Sequence, residues 1–196
     1  MAIIKKSTFV ANEKNIVKLL LCDRKMCDRY PIMMPNCYYQ SDNEADIFCI
    51  RNSGFTDEFE IKTSRADFKK DEKKRVKYRE PENCSNVFRG GEYEQWASSG
   101  RVIGEEPWIK LKRDALAAGE LVPNYFWYVL MEGITYKEEE IPKWAGIIIV
   151  SEHGFSKTLR NPKRLHSSKV SANLRDKVLL KGVYRYLDIL RGWRDK

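Results

Sequence analysis

Two carboxylates and an ammonium group lie close together in residues 45–62, ADIFCIRNSGFTDEFEIK: Asp46, then thirteen residues, then Glu60-Ile61-Lys62. Phosphodiester hydrolysis calls for a nucleophilic water, neutralisation of a strongly anionic transition state and stabilisation of the leaving oxygen. A divalent cation on carboxylates supplies much of that. Asp46 and Glu60 are hard oxygen donors suited to Mg²⁺ or Mn²⁺, which keep several waters and take phosphate oxygens as well. Lys62 can orient or deprotonate the attacking water and adds positive charge; a base role would require a pKa well below the usual lysine value, and its carboxylate neighbours push the other way. We therefore assign it as an activator of either kind.

These groups converge only if the backbone brings them to one face. Ile47, Phe48, Cys49 and Ile50 on one side and Phe55, Phe59 and Ile61 on the other are strand formers, with Asn52-Ser53-Gly54 as turn chemistry between them. A hairpin centred on Ser53 sets position 46 opposite position 60, and the two-residue period then projects Asp46, Glu60 and Lys62 from the same face. A slip of one residue separates them. Two facing carboxylates repel unless a cation lies between them.

Upstream, residues 11–26 carry Ile16, Leu19 and Leu20 at helical spacing and predict one helix, with Glu13 in its first turn where the helix dipole favours an acid. Pro31 and Pro35 end that pattern, and residues 37–40 predict a short strand. Downstream, Thr63 and Ser64 are both candidate N-caps, with Asp67 at the capping-box distance from Ser64, opening a second helix over SRADFKKDEKKRVKYRE. Its Lys69, Lys70, Lys73, Lys74 and Lys77 are either a solvated charged face or, directly after an acidic site, a set of phosphate contacts.

Residues 81–105 are irregular and glycine-rich, an expected insertion whose Phe88, Tyr93 and Trp96 are assigned to packing ahead of base stacking. A helix is expected over 108–118. NYFWYVLM at 124–131 and AGIIIV at 145–150 predict strands buried on both faces, joined across 132–143 by a hairpin or wide loop. A basic loop containing Lys163 and Arg164 follows. A closing helix over 172–192 carries Leu179, Val183, Tyr186, Leu187 and Leu190 at helical spacing, for packing or, as the alternative, a homodimer contact.

The chain of 196 residues suits one domain. Its net charge of +8 and sequence pI of 9.2 favour a polyanionic partner such as nucleic acid. No apolar run is long enough for a bilayer, and MAIIKKSTFV lacks the features of a signal peptide, so the expected location is cytoplasmic. Five cysteines, Cys22, Cys27, Cys37, Cys49 and Cys84, are then expected as reduced thiols rather than as metal ligands.

The spacing of Asp46 and Glu60-Ile61-Lys62 on a hairpin followed by a helix resembles the PD-(D/E)XK nuclease superfamily. EFEIKTSRADF, PNYFWYVL and WAGIIIV are similar to small bacterial and phage repair or Holliday-junction-resolvase-like endonucleases of that superfamily. Ala45 stands where the motif has proline. The resemblance implies an α/β, restriction-endonuclease-like core in αβββαβ order: a central mixed sheet of about five strands flanked by helices, plus a C-terminal helix. It implies that Asp46, Glu60 and the backbone carbonyl of Ile61 ligate the metal, that Glu13 ligates directly or through water, and that Lys62 is catalytic. The implied function is a Mg²⁺-dependent DNA endonuclease acting on duplex or branched DNA in repair, recombination or phage DNA processing. The alternatives are a restriction-type endonuclease, a non-catalytic DNA-binding module on the same fold, and an exposed salt-bridged patch with no chemistry. His153 and His166 are thirteen apart in expected loops and offer neither metal spacing nor a nucleophile partner.

Overall fold

The computed structural model describes residues 9–40, 43–77 and 109–194. Helix α1 (Glu13–Leu21) starts at Asn12, whose side chain accepts from the Asn15 amide at 2.9 Å. The expected helix through residue 26 is two helices, because Asp23 caps a new one, α2 (Arg24–Arg29), by accepting from the Met26 amide at 3.0 Å. An Asp side chain inside a helical run competes for backbone donors and restarts the chain in a new direction.

Strands β1 (Ile32–Gln40), β2 (Asn43–Ile50) and β3 (Thr56–Lys62) form an antiparallel meander. β1 begins at Ile32, earlier than expected, and takes in Pro35. The β2–β3 register runs from Ile50↔Thr56 to Ile47↔Phe59, which is the register centred on Ser53. Gly54 supports the turn at φ 82°, a conformation that residues with a Cβ rarely adopt.

The chain then forms α3 (Arg65–Asp71), β4 (Arg75–Lys77), β5 (Ile109–Leu111), α4 (Lys112–Ala117), β6 (Tyr125–Met131), β7 (Gly146–Val150), β8 (Ser156–Arg160) and α5 (Ala172–Arg194). The main sheet is mixed and six-stranded, in the order β1-β2-β3-β6-β7-β8, with β3, β6 and β7 mutually parallel. The sixth strand is β8, in a stretch expected to be loop. SKTLR has no apolar alternation because β8 pairs on one side only and its first four residues are exposed. Since β6 and β7 are parallel, residues 132–143 are a crossover with a 3₁₀ turn (Glu138–Glu140) and not a hairpin.

Two further expectations are corrected. The lysine-rich helix stops at Asp71, and the chain returns as β4, which pairs with β5 in a separate two-stranded ladder; the helix expected from residue 108 accordingly begins only at Lys112. Lys73, Lys74 and Lys77 are therefore not on a helix. Helix α5 lies on β1 through buried Val178 and half-buried Leu174, and Arg185 donates to the Asn36 carbonyl at 2.6 Å. Leu179, Val183, Tyr186 and Leu187, expected in its packing face, are exposed.

Ile16 and Leu20 of α1 cover one sheet face over Ile47, Phe59, Ile61 and Val129. Phe68 of α3 and Ala115 and Leu116 of α4 cover the opposite face over Phe126, Tyr128 and Leu130. Among the described residues no helix is long and apolar enough to cross a membrane. Cys22 and Cys27 are exposed free thiols, and Cys37 and Cys49 are buried ones. Cys84, the 81–105 insertion and its aromatics lie outside the described residues.

Candidate active site at the carboxyl end of β3

Every residue of β3, TDEFEIK, is buried, although four of its seven residues are charged. The strand runs through the middle of the sheet between β2 and β6, with α1 packed over one face and α3 and α4 over the other. Charge buried this way requires partners, and the two faces find different ones.

Glu58, Glu60 and Lys62 share one face by the two-residue period. Lys112, at the start of α4, places its ammonium 2.5 Å from Glu58 Oε1 and 2.7 Å from Glu60 Oε2. Lys62 lies 2.9 Å from Glu60 Oε1 and 3.2 Å from Asp71 Oδ1 of α3. Lys74 reaches Glu60 Oε1 at 3.1 Å. Two phenols close the network: Tyr39 donates to Glu58 at 2.6 Å and Tyr128 to Asp71 at 2.7 Å. Three ammonium groups thus face three carboxylates, Glu58, Glu60 and Asp71.

Asp46 is a fourth carboxylate beside this balanced set. Its Oδ2 accepts from the Ile61 amide at 2.6 Å, its single hydrogen bond among the described residues. Burial, then the charge of Glu60, pushes its carboxyl up to about 7 against the pull of the Ile61 amide and Lys62; Glu13 adds a further upward push. Glu60 goes the other way. Burial raises it, but Lys112, Lys62 and Lys74 together hold it well below the ordinary carboxylate range. Burial alone would lower Lys62 and Lys112, yet facing carboxylates, Glu60 and Asp71 for the one and Glu58 and Glu60 for the other, hold both above the ordinary lysine value. Lys62 is therefore a cation in this arrangement, which argues against a resting role as base.

Above the network an open cleft of about 330 Å³ is lined by Glu60, Lys62, Asp67, Lys70, Asp71, Lys73 and Lys74. It lies where the parallel strands β3 and β6 end, the usual ligand position in a sheet with parallel strands. Ser64 caps α3 as expected, accepting from the Asp67 amide at 3.2 Å, and this directs the helix across the cleft.

Of the residues singled out by sequence, Asp46, Glu60, Ile61 and Lys62 are together, with Glu13 near enough to act on Asp46 by charge. Lys70, Lys73 and Lys74 line the cleft; Lys69 is exposed on α3 and adds a small downward pull to Glu140, which is lowered chiefly by its hydrogen bond from Arg65. The backbone of Lys77 lies in β4. Lys163 and Arg164 are elsewhere. The Lys163 amide donates to the Trp144 carbonyl, and Arg164 lies 5.6 Å from the Phe55 ring. Arg164 is thus near the amino end of β3, which lies six residues before Lys62 and about 20 Å away at 3.3 Å per residue, and Lys163 is beside the residue that leads into β7.

Glu58, Asp71, Lys112, Tyr39 and Tyr128 were not anticipated. Glu58 had a signal, since it shares the alternation that placed Glu60 and Lys62. Asp71 and Lys112 had none, because only tertiary structure returns them to β3.

The donor set suits a hard divalent cation at Asp46, the carboxylate without an ammonium partner. Among the described residues no three His, Cys, Asp or Glu side chains already converge as a metal cage, and the oxygens of Glu60 are occupied by lysines.

No protein-family model and no curated protein matches the chain. Among solved structures it is similar to a protein of unknown function from Silicibacter pomeroyi, at 12% identity and a TM-score of 0.52, over 94% of this chain and 93% of the other. That likeness concerns the fold alone.

Proposed function

We propose that the protein is a Mg²⁺- or Mn²⁺-dependent endonuclease that hydrolyses DNA phosphodiester bonds, built on a restriction-endonuclease-like core of the PD-(D/E)XK type. The observation that carries the reading is the meeting of Asp46, Glu60 and Lys62 at one end of β3, beside a cleft edged by Lys70, Lys73 and Lys74. Asp46 and Glu60 would hold the cation, with the Ile61 carbonyl and Glu13 as the further ligands that the superfamily resemblance implies. When bound, the cation lowers the pKa of its water and offsets charge on the phosphate. Lys62 contributes as an ammonium group that orients the attacking water and stabilises the anionic transition state. Asp71, held by Tyr128, keeps Lys62 in place. For the cation to reach Glu60, one lysine must yield. Lys74 is the freest to do so, its side chain being 34% exposed against 7% for Lys62 and 2% for Lys112.

DNA is the substrate class favoured by the cleft lysines and the net charge of +8. Repair, recombination or phage DNA processing is the setting the resemblance suggests. A second reading, a non-catalytic DNA-binding module, is favoured by the three lysines, Lys62, Lys74 and Lys112, that already satisfy Glu60.

Incubating supercoiled, linear, single-stranded and four-way-junction DNA with wild type and Lys62→Ala, in Mg²⁺ or EDTA, separates the two. Cleavage by wild type in Mg²⁺ alone, lost in Lys62→Ala, is the expected result. Equal cleavage by both proteins would sink the mechanism, and binding without cleavage in any metal would leave the DNA-binding module.

A further inference from the structure

Glu60 has cations on two sides that differ in kind. On the cleft side, Lys74 is partly exposed and can swing into solvent. On the sheet side, Lys112 is 2% exposed, lies against the Phe126 ring at 5.5 Å, and joins Glu60 to Glu58, which is wholly buried and is held from behind by Tyr39. The Lys112 backbone is fixed as well, its amide donating to the Lys74 carbonyl at 2.7 Å. Two carboxylates bridged by one buried cation is the arrangement of a metal between acidic ligands, here made with an ammonium group.

Resting on the cation reading of the site given above, we infer that Lys112 is a resident cation at the Glu58–Glu60 pair, so that the protein takes one divalent ion per chain, on the Asp46 side of Glu60, and not two. The reason is electrostatic and steric. An ammonium at 2.5 and 2.7 Å from the two carboxylates occupies the space between them. The Lys112 side chain is 2% exposed and its backbone is anchored at the end of the β4–β5 ladder. A second divalent ion would have to expel this buried charge, leaving Lys112 without its partners. Glu58 is thereby a partner of Lys112 and not a metal ligand, although it lies in line with Glu60.

Counting Mn²⁺ bound to the full chain by electron paramagnetic resonance tests this without any substrate. Wild type is expected to bind one ion. Glu58→Gln is expected to bind one with Kd within three-fold of wild type, and Lys112→Gln, which opens the space between the carboxylates, to bind two. Two ions on wild type, a loss of ten-fold or more in affinity in Glu58→Gln, or one ion on folded Lys112→Gln each overturn the inference while leaving the endonuclease reading intact. No binding by wild type removes the cation reading and this inference together. Should Lys112→Gln not fold, the wild-type count and Glu58→Gln decide.

Discussion

β3 buries carboxylates on both faces, and the two faces treat them in opposite ways. Asp57, on the α1 face, accepts from Tyr30 at 2.9 Å, from Arg51 Nε at 2.6 Å and a second Arg51 nitrogen at 2.7 Å, and from Trp127 Nε1 at 2.9 Å. Its needs are met by one bidentate guanidinium and two neutral donors inside a packed core. On the other face, Glu58, Glu60 and Asp71 share three lysines, Asp46 is left with one amide, and the group opens on a cleft. A closed, fully matched ion pair orients a strand. An open set with one carboxylate in excess is the arrangement that the cation proposed above would require. Burial of charge is common to both faces, so burial alone does not mark chemistry; mismatch next to solvent does.

Substitutions on each face should therefore fail in different assays. Lys62→Met is expected to lower DNA cleavage in saturating Mg²⁺ by about 10²–10³-fold, the usual cost of removing one transition-state charge partner, while the protein keeps its circular dichroism spectrum. Asp57→Ala should do the reverse. Urea unfolding should show a loss of about 3 kcal/mol, the low end for breaking a buried pair because Arg51 is 18% exposed, with cleavage per folded molecule unchanged. If Asp57→Ala abolished cleavage without loss of stability, the contrast between the faces would collapse.

Tyr128→Phe removes the hydrogen bond to Asp71 and should cost about 1.5 kcal/mol of stability, as for a bond to a charged group, together with a smaller loss of cleavage than Lys62→Met. Asp46 carries a pH effect of its own. Its carboxyl is held at about 7 against an ordinary 3.8, so the folded chain keeps the proton more tightly than the unfolded one. Unfolding free energy should fall as pH rises from about 4 to 7, and Mn²⁺ affinity should rise through the same window as the ion competes with the proton. Asp46→Asn should flatten both curves. The smallest effect separates the two ends of β3: Lys73→Ala should reduce the salt slope of DNA binding by about one, and Arg164→Ala should leave it nearly unaltered. A drop with Arg164→Ala instead would extend the DNA path along the whole strand.

What was legible in the sequence followed periodicity. Alternation and the Asn52-Ser53-Gly54 turn fixed the β2–β3 register and hence the side of the sheet that Asp46, Glu60 and Lys62 occupy. The apolar runs of β6 and β7 declared themselves because both faces of each are covered. β8 did not, since an edge strand in solvent needs no apolar alternation. Charge patterning overextended α3, because lysines suit a helix surface and a short polar strand alike, and only the β4–β5 pairing ends the helix. In α5 the apolar spacing was real, but β1 offers it a narrow contact and most of that face remains exposed. Lys112 and Asp71 were invisible for a different reason: their partners on β3 are remote in sequence, and no local pattern encodes a buried ion pair of that span.

The β4–β5 ladder has a consequence beyond anchoring Lys112. Lys77 pairs with Ile109 and Arg75 with Leu111, and at the other end of the ladder the Lys112 amide donates to the Lys74 carbonyl. Lys74 and Lys112 are therefore coupled through their backbones before either side chain reaches Glu60. The ladder works as a caliper: a slip of one strand by a residue would move two of the three ammonium groups around that carboxylate at once, so a few short pairings set its charge environment.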